Sequence, residues 1–283
     1  MPIFVLLKQW SVHLLDVKTH GEMAKAQKTA LTIAGFDPTG GAGIQADLKV
    51  FHSYNVYGFS AATSITAQNS QGVKHVEGLS NKLVQRQLDV LLEDFTPDAL
   101  KTGVLFGVPT VYTIYEVIST YKLKNLVIDP VLIASAGVEL AAAGTVKAIK
   151  EMLMPCAAVI TPNIPEAQIF TALSIKNLED MKEAARRFID FGVKAVVIKG
   201  GHLESTPIDV FYDGKDFVLF TSPRTQGEYH GTGCVFSAAI TANLALEKPL
   251  TEAIGQAKTK VTNAIEGANN LRHKYTGMKF LAI

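Results

Sequence analysis

The sequence predicts an α/β protein in which a central, mostly parallel sheet carries helices on both faces. Short apolar segments rich in β-branched residues alternate with longer segments of helical periodicity, and this alternation is typical of parallel sheets covered by helices. The chain has 283 residues, 48% of them hydrophobic, so one domain with a large core is expected. Polar residues come directly after the predicted strands, at the edge where open parallel sheets bind ligands.

Predicted strands and helices alternate from residue 30 onwards. The strands lie at residues 30–34, 58–65, 99–102, 125–129, 157–161 and 194–199. The helices lie at residues 81–94, 108–121, 140–153 and 177–191. Near the C-terminus, apolar runs at 208–212 and 217–221 flank Asp213-Gly214-Lys215, which predicts a hairpin and hence a small antiparallel extension at a sheet edge.

Residues 1–28 form an N-terminal extension to a single predicted domain at 29–283. The extension has apolar residues at the spacing of an amphipathic helix: Ile3, Leu7, Trp10, Leu14 and Val17. Its apolar start is shorter than the core of a signal peptide, and no small-residue cleavage site follows it. We expect residues 1–22 to be a start-site extension without function, disordered in solution; the alternative is a docking helix.

Composition and charge argue against several classes of function. The net charge is +1 and no long basic stretch occurs, so nucleic acid is not an expected partner. No apolar run approaches the length of a membrane span, so no membrane partner is expected either. The two cysteines, Cys156 and Cys234, suggest neither a disulfide framework nor a metal site, which favours a reducing, cytoplasmic compartment.

A glycine-rich turn near the C-terminus is the strongest functional signal. Gly231-Thr232-Gly233-Cys234 leads into residues 237–246, which contain no Pro or Gly and predict a buried helix. The first N–H groups of a helix have no partner within it and the helix dipole is positive there, so the turn suits an anion such as a phosphate. The same field is expected to favour the thiolate of Cys234. The alternative is a turn that only caps the helix.

A second glycine-rich loop lies early in the chain. Residues 29–34 predict a buried strand, the loop 35–43 follows, and a helical pattern begins at Ile44. The loop lacks the G-x-G-x-x-G spacing of dinucleotide-binding folds, and the chain contains no G-x-x-x-x-G-K-[ST] P-loop. Two separate glycine-rich loops fit a kinase that holds its acceptor at one loop and its phosphates at the other.

Several blocks stand in the order in which one kinase family has them, over roughly residues 29–270. The first is 35–49, which begins Gly35-Phe36-Asp37-Pro38-Thr39-Gly40-Gly41-Ala42-Gly43. The others are Thr66-Ala67-Gln68-Asn69, Lys101-Thr102-Gly103, Asp129-Pro130-Val131, Thr161-Pro162-Asn163-Ile164-Pro165-Glu166-Ala167, Lys199-Gly200-Gly201-His202 and His230-Gly231-Thr232-Gly233-Cys234. With these blocks the chain resembles the hydroxymethylpyrimidine/phosphomethylpyrimidine kinases of the ribokinase-like superfamily.

The resemblance implies a ribokinase-like fold and transfer of the γ-phosphate of ATP, with Mg²⁺, to 4-amino-5-hydroxymethyl-2-methylpyrimidine. It also implies phosphorylation of the monophosphate to the diphosphate, in thiamine diphosphate biosynthesis. We expect the pyrimidine substrate and ATP as ligands, a homodimer, and a cytoplasmic location. The alternatives are a pyridoxal kinase of the same fold and a non-catalytic sensor that binds the pyrimidine or a nucleotide.

Through the resemblance, Gln68, Asp47, Gly35 and Ala42 are expected to bind the substrate. The carboxamide of Gln68 has an acceptor and two donors, which match the ring nitrogen and amino group of a 4-aminopyrimidine. The alternative for Gln68 is to satisfy loop backbone groups. The alternative for Asp47 is to favour a helix N-terminus through its charge.

The resemblance implies that Asn163, Glu166 and Lys199 bind the nucleotide. It also implies that Asp129 and Glu166 bind Mg²⁺ through water molecules. Lys199 ends a predicted buried strand, where it would neutralise phosphate charge. Two plainer alternatives remain. Asn163 and Glu166 have the spacing of a capping box, and Asp129 precedes a proline, where it would cap a turn.

For catalysis, Gly231, Thr232 and Gly233 are expected to donate backbone N–H groups to the transferred phosphoryl group. Cys234 is expected to accept the proton of the substrate hydroxyl, because the family has a cysteine at this position. Cys156 is expected to be a small buried residue.

A few residues differ from the usual family pattern. Phe36 replaces a small hydroxyl residue and is expected to narrow the mouth of the substrate pocket. Glu228 and Tyr229 precede the glycine-rich turn in place of Asn-Thr, and residues 134–137 replace a lysine-containing turn. His202 is expected to be structural.

Overall fold

A nine-stranded sheet forms the centre of the protein, of which the computed structural model describes residues 26–132, 141–201, 207–268, 271 and 278–283. Its strands are β1 (Thr29–Phe36), β2 (Tyr57–Asn69), β3 (Gly72–Gly78), β4 (Ala99–Thr102), β5 (Leu126–Ile128), β6 (Ala157–Ile160), β7 (Val196–Ile198), β8 (Ile208–Tyr212) and β9 (Phe217–Thr221). In space they follow the order β3-β2-β1-β4-β5-β6-β7-β8-β9. Outside this sheet, β10 (Glu228–His230) and β11 (Met278–Phe280) pair with each other in parallel.

The middle of the sheet is parallel and both of its edges are antiparallel. Strands β2, β1, β4, β5, β6 and β7 pair in parallel. The predicted hairpin is confirmed as β8 and β9, which pair antiparallel at one edge. At the other edge β3 pairs antiparallel with β2, and the sequence does not predict it, because Val73 and Val76 are its only apolar side chains.

Helices cover both faces of the sheet. They are α1 (Gly43–Ser53), α2 (Asn81–Asp94), α3 (Val108–Tyr121), α4 (Thr145–Ala148), α5 (Ile164–Thr171), α6 (Leu178–Asp190), α7 (Thr232–Ala245) and α8 (Leu250–Glu266). One apolar core contains side chains of α2, α3, α5 and α6, and the other contains side chains of α1, α7 and α8. Neighbouring strand residues such as Ala30 and Leu31 belong to different cores, so the predicted layers are confirmed.

Local sequence explains where several helices begin and end. Helices α2 and α3 have their predicted bounds: the Ser80 side chain accepts the N–H of Leu83 before α2, and Pro109 lies in the first turn of α3. The predicted helix at 140–153 is shorter as an α-helix, because α4 continues as the π-turn Ile149–Leu153 and the 3₁₀ turn Met154–Cys156. Residue 140 lies outside the described residues.

Two helix N-termini lie next to the strand where the sheet order reverses. Strand β1 has β2 on one side and β4 on the other, and α1 follows β1 directly. Helix α7 packs against α1, β1, β4 and β5, and it is buried from Val235 to Ala245. Open parallel sheets bind ligands at such a reversal, so both glycine-rich segments lie at the expected place.

Some expectations concern residues outside the described part of the chain. These are the N-terminal segment 1–22, residues 134–137 and His202. Among the helices that the structure describes, none combines the length and the apolar character needed to cross a bilayer.

Candidate active site

A cavity of about 630 Å³ lies beyond the carboxyl ends of the central strands. The predicted site residues that line it are Ala42, Asp129, Asn163, Glu166, Lys199, Gly231, Thr232, Gly233 and Cys234. The remaining three, Gly35, Asp47 and Gln68, do not line it. The structure therefore brings together the residues predicted for catalysis, nucleotide and metal, and places most of the predicted substrate residues elsewhere.

Both glycine-rich segments turn at positions where only glycine fits. Gly231, directly before α7, has a φ of 84°, and a Cβ there would overlap the carbonyl oxygen of Gly41. Gly43, the first residue of α1, has a φ of 57°, and a Cβ there would overlap the carbonyl oxygen of Gly35. The two turns are thus in direct contact. Among the described residues, no side chain caps the N-terminus of α1 or of α7.

The carboxylate of Asp37 joins the two turns. It accepts hydrogen bonds from the N–H groups of Thr39 and Ala42, both at 2.8 Å, and one oxygen lies 2.9 Å from Nε2 of His230, the residue directly before the second turn. Burial would raise the pKa of Asp37, but the hydrogen bonds from His230, Gln68 and Thr39 outweigh burial and hold that pKa well below its ordinary value. Asp37 is therefore an ionised link between the first loop and the turn before α7.

The small sheet of β10 and β11 supports this link. Strand β10 ends at His230, immediately before the turn, and β11 pairs with it along its length. The ring of Phe280 in β11 meets the His230 ring edge to face, with centroids 5.8 Å apart. Neither strand is predicted from the sequence, because each has only three residues and they pair across a long stretch of chain.

Cys234 lies in the first turn of α7, and the backbone N–H of Gly43 at the start of α1 acts to lower the pKa of its thiol. Burial raises the pKa of the Cys234 thiol to about 12, because Lys101 and the Gly43 N–H offset only part of the desolvation. The carboxylates of Asp129 and Asp47 raise that pKa further. The direction of this shift is opposite to the one expected from the helix N-terminus, and the role of the Cys234 thiolate in catalysis stays a prediction.

Asp47 lies beneath the site and not on its wall. Its side chain has no exposed surface, one carboxylate oxygen lies 2.7 Å from Nζ of Lys101, and the other accepts a 2.6 Å hydrogen bond from Thr32. Both oxygens are engaged by protein groups. The expectation that Asp47 faces the acceptor pocket is therefore corrected: its neighbours are two central strands.

Asp129 follows β5 and is almost completely buried. One of its oxygens lies 3.4 Å from Nζ of Lys199, and the other accepts a 3.0 Å hydrogen bond from the hydroxyl of Ser237 in α7. A Cβ at Gly233 would come within 3.2 Å of Nζ of Lys199, so the turn lies directly against this ion pair. The structure thus places one cation and one carboxylate beside the predicted phosphate turn.

Glu166 and Asn163 form the capping box of α5, which confirms the plainer alternative for this pair. The Asn163 N–H donates to Glu166 at 2.7 Å, and the Glu166 N–H donates to Asn163 at 2.8 Å. Burial raises the pKa of Glu166 to about 7, with Lys199 opposing the rise and Asp129 adding to it. Both residues also line the cavity, so capping does not remove them from the site.

The carboxylates of the cavity fit a magnesium ion. Among the described residues, no group of three or more His, Cys, Asp or Glu side chains forms a complete metal cage. Mg²⁺ seldom uses such a cage, because it keeps several waters and takes one or two carboxylates together with substrate phosphates. Asp129 and Glu166 both line the cavity beside Lys199, so the available donors suit that ion.

The sequence places this chain in a known family. The model of a family described as phosphomethylpyrimidine kinase matches residues 37–279, which is most of the chain. The chain belongs to the phosphomethylpyrimidine kinase family. This finding confirms the resemblance that the sequence blocks indicated.

Relatives and solved structures agree with the family. The bifunctional thiamine biosynthesis protein ThiED of Geobacter sulfurreducens is 44% identical over 245 residues, which are 86% of this chain but only 50% of that protein. The hydroxymethylpyrimidine/phosphomethylpyrimidine kinase of Staphylococcus aureus strain Mu50 is 44% identical over 243 residues, which are 84% of this chain and 88% of that protein.

Two solved structures share the fold. The phosphomethylpyrimidine kinase of Clostridium difficile 630 has a TM-score of 0.76 and 39% identity, over 84% of this chain and 100% of that chain. The ADP complex of Bacillus subtilis pyridoxal kinase has a TM-score of 0.82 and 38% identity, over 91% of this chain and 98% of that chain. These structures confirm the predicted ribokinase-like α/β fold class.

In this member of the phosphomethylpyrimidine kinase family, Gln68 lies near the end of β2. The pairing of β2 with β3 shifts register at this point. Its side chain helps to lower the pKa of Asp37, the carboxylate that also lies beside His230. Its role in reading a pyrimidine stays a prediction. Phe36, at the end of β1, keeps 42% of its surface exposed near this position.

The structure places at the site several residues for which the sequence predicts no role there. Asp37 directly follows the first strand, and a polar residue in this position indicates the ligand-binding edge of a parallel sheet. Lys101 stands in a block of the family pattern, but its burial cannot be read from a strand of four residues. His230 stands in the last block of the family pattern, but its contact with Asp37 joins distant parts of the sequence, as does the contact of Ser237 with Asp129.

Replacing Glu166 with glutamine should change how stability depends on pH. A carboxyl whose pKa rises on folding from 4.5 to about 7 contributes stability that is complete below the lower value and is lost as pH rises through the window. The loss amounts to roughly 3 kcal/mol. Glutamine keeps the capping box and cannot ionise, so Glu166→Gln should be less sensitive to pH than the wild-type protein.

Urea unfolding of the ligand-free protein, below and above this pH window, measures the effect. Glu179→Gln is the matched control, because Glu179 also lies in the first turn of a helix but has 74% of its side chain exposed. Parallel pH curves for wild type and Glu166→Gln would show that Glu166 is ionised throughout the window.

Proposed function

We propose that this protein transfers the γ-phosphate of ATP to 4-amino-5-hydroxymethyl-2-methylpyrimidine and then phosphorylates the monophosphate to the diphosphate, in thiamine diphosphate biosynthesis. The observation that carries the proposal is the meeting of two glycine-rich turns at one cavity, with Cys234 between them and Lys199 beside Asp129. Membership of the family and the names of its relatives support the same reaction.

The transfer step needs a nucleophile, a stabilised phosphoryl group and a proton acceptor. The hydroxymethyl oxygen of the pyrimidine forms the new bond to the γ-phosphorus, the bond from that phosphorus to the bridging oxygen breaks, and ADP leaves with the electron pair. Backbone N–H groups of the turn 231–234 stabilise the charge on the group in transfer. The hydroxyl proton passes to Sγ of Cys234 in its thiolate form and later to solvent.

The remaining groups of the cavity act on the phosphates. Lys199 neutralises negative charge on the γ-phosphate, and the Ser237 hydroxyl holds the carboxylate of Asp129 in place. A bound Mg²⁺ would supply positive charge that offsets part of the negative charge of ATP. Asp129 and Glu166 would hold that ion, through water molecules.

We also propose that the protein is a cytoplasmic homodimer. Tyr57 and Phe95 flank Phe59 on the outer surface beside β2, with ring centroids 5.2 and 4.8 Å from Phe59, and expose 56% and 44% of their surface. Such a group of exposed rings suits a contact between subunits. Both cysteines are free, as a reducing compartment would keep them. Light scattering after size-exclusion chromatography measures the subunit number.

A coupled assay of ATP consumption tests the reaction. The acceptors are 4-amino-5-hydroxymethyl-2-methylpyrimidine, its monophosphate and pyridoxal, each with Mg²⁺. We expect turnover with the first two and a much lower kcat/KM with pyridoxal. Turnover with pyridoxal alone would instead support the second candidate, a pyridoxal kinase, which the fold likeness to the Bacillus subtilis enzyme favours. Binding without turnover of any acceptor would indicate a sensor.

Gln68→Ala should weaken binding of the pyrimidine by about 1–3 kcal/mol, the cost of leaving buried polar groups unpaired. Binding of ATP should barely change, because the ATP phosphates are expected at the other turn. Separate calorimetric titrations with each ligand measure both effects. Gln71→Ala is the matched control, because Gln71 lies in the same hairpin with its side chain exposed. An equal loss for both ligands would mean that Gln68 acts only through its influence on Asp37.

A further inference from the structure

His230 is the last residue of β10 and lies directly before the turn 231–234. Its side chain is mostly buried, with 14% of its surface exposed. One ring nitrogen, Nε2, lies 2.9 Å from a carboxylate oxygen of Asp37 in the first loop. The other, Nδ1, is buried and has no hydrogen-bond partner within the described part of the chain. Among these residues, Asp37 is therefore the only hydrogen-bonding anchor of the ring.

The same carboxylate shapes the first loop. It accepts hydrogen bonds from the N–H and the hydroxyl of Thr39 and from the N–H of Ala42, each at 2.8 Å. Ala42 is the last residue before α1, and it lines the cavity. Because an ionised carboxylate can only accept hydrogen bonds, Nε2 of His230 carries a proton and donates it to Asp37. Asp37 thus holds the first loop and His230 at the same time.

Close contacts surround this hydrogen bond. A Cβ at Gly41 would overlap the rings of His230 and Phe280, and a Cβ at Gly231 would overlap the carbonyl oxygen of Gly41. The ring of Phe280 in β11 also meets the His230 ring edge to face. Two consecutive residues therefore fix the start of the turn against the first loop, His230 through its side chain and Gly231 through its backbone.

The direction of the N–H groups in the turn 231–234 depends on these contacts. No side chain among the described residues caps the N-terminus of α7, so a capping hydrogen bond does not orient the turn. The turn follows His230 directly, and a shift of this residue would move the backbone of Gly231 and the N–H groups after it. The hydrogen bond from His230 to Asp37 is thus placed to aim the turn at the cavity.

We propose, on the basis of the proposed function, that His230 is a positioning residue of the phosphoryl transfer. Its hydrogen bond to Asp37 sets the turn 231–234 against the first loop, so that the N–H groups of the turn meet the transferred phosphoryl group. The pair exchanges no proton with the substrates, and it forms and breaks no bond in the transfer. Its contribution is the fixed geometry between the two loops.

Removing the donor while roughly keeping the size of the side chain tests the proposal. His230→Leu should lower kcat by at least about tenfold, a part of the roughly 100- to 1,000-fold that the loss of a whole oxyanion donor costs. The KM of ATP should stay within about twofold, because Lys199 and the other lining residues still contact the phosphates. A raised KM of ATP with an unchanged kcat would place His230 in nucleotide binding and overturn the proposal.

Two amide variants separate the hydrogen bond from packing. The amide of glutamine reaches about as far from the backbone as Nε2 of histidine, so His230→Gln should restore kcat to within about threefold of the wild-type value. The amide of asparagine ends at about the depth of Nδ1, so His230→Asn should be as slow as His230→Leu. Equal kcat values for the glutamine and leucine variants would show that the ring only fills space, and would overturn the proposal.

His75→Leu is the matched control. It removes another contact of a histidine with a carboxylate, His75 with Glu77 at 3.4 Å, but the His75 side chain is 69% exposed and lies in β3. It should leave kcat unchanged. Melting curves show whether each variant is folded, and if His230→Leu is not, the comparison of His230→Gln with His230→Asn decides.

The kinetics use each of the three acceptors of the coupled assay, which separates this proposal from the proposed function. If pyridoxal proves to be the acceptor, the proposed reaction is wrong, but the order of the His230 variants should stay the same. If the wild-type protein turns over no acceptor, the proposed function fails and the role of His230 fails with it. Wild-type turnover together with equal rates for all three His230 variants would overturn the role of His230 alone.

Discussion

Cys234→Ala is expected to lower kcat by about two orders of magnitude or more, as the loss of a general base does. The affinity for the pyrimidine should change little, because the thiol takes part in proton transfer and not in recognition of the ring. Cys234→Asp should keep part of the activity, since a carboxylate in the same turn can accept the same proton. Steady-state kinetics and calorimetric titration measure both quantities.

The matched control for this substitution is Cys156→Ala. Cys156 is also a free, partly buried cysteine, but it lies at the end of the 3₁₀ turn before β6 and does not line the cavity. It should turn over like the wild-type protein. Wild-type turnover of Cys234→Ala would show that Cys234 only fills the start of α7, and the transfer would then need another proton acceptor.

Gly231→Ala should have an effect of similar size, for a reason of backbone geometry. Gly231 has a φ of 84°, and an added Cβ would overlap the carbonyl oxygen of Gly41. The turn must therefore move away from the first loop, and its N–H groups would no longer point at the transferred phosphoryl group. Loss of one oxyanion donor lowers kcat by about 100- to 1,000-fold, and we expect a loss in this range. Holding alanine in this backbone conformation should also cost about 1–3 kcal/mol of stability.

Gly201→Ala is the control for Gly231→Ala. Gly201 lines the same cavity, but its backbone is not left-handed, and among the described residues other than its chain neighbours no atom lies within 4 Å of the position of an added Cβ. Single-turnover kinetics with saturating ATP, together with urea unfolding, separate the two effects. A Gly231→Ala variant that is destabilised but transfers phosphate at the normal rate would mean that the turn caps α7 and donates nothing to the reaction.

The elements that the sequence predicts best are those whose signals are local. Helices α2 and α3 have predicted bounds because apolar periodicity and the terminal residues Ser80 and Pro109 agree within one segment. Strands β8 and β9 are recognisable because turn residues separate two apolar runs. Strand β3 has too few apolar residues to be recognised from the sequence. Strands β10 and β11 form because two distant segments of the chain pair with each other, so neither segment alone predicts a strand.

The candidate site also contains features that local sequence predicts and features that depend on contacts between distant residues. The predicted site residues that line the cavity could be found from the sequence because they follow parallel strands or open a helix, and such positions meet at one edge. The misplaced residue, Asp47, has the same spacing whether its side chain faces a ligand or a buried lysine. The rise in the pKa of the Cys234 thiol could not be predicted from the sequence either, because the desolvation of the thiol depends on how tightly α1 and α7 pack.

Helix α7 is buried on every side after its first turn, and this has a consequence for how the site can move. A helix packed at the density of a protein interior cannot tilt or slide without disturbing many neighbours at once. The turn 231–234 therefore leads into a firmly packed helix, whose amides we expect to be among the best protected from hydrogen exchange. We therefore expect any closing motion around the ligands to come from the walls of the cavity opposite α7. Such a motion would bring the acceptor and the nucleotide towards the turn 231–234, which would itself move little.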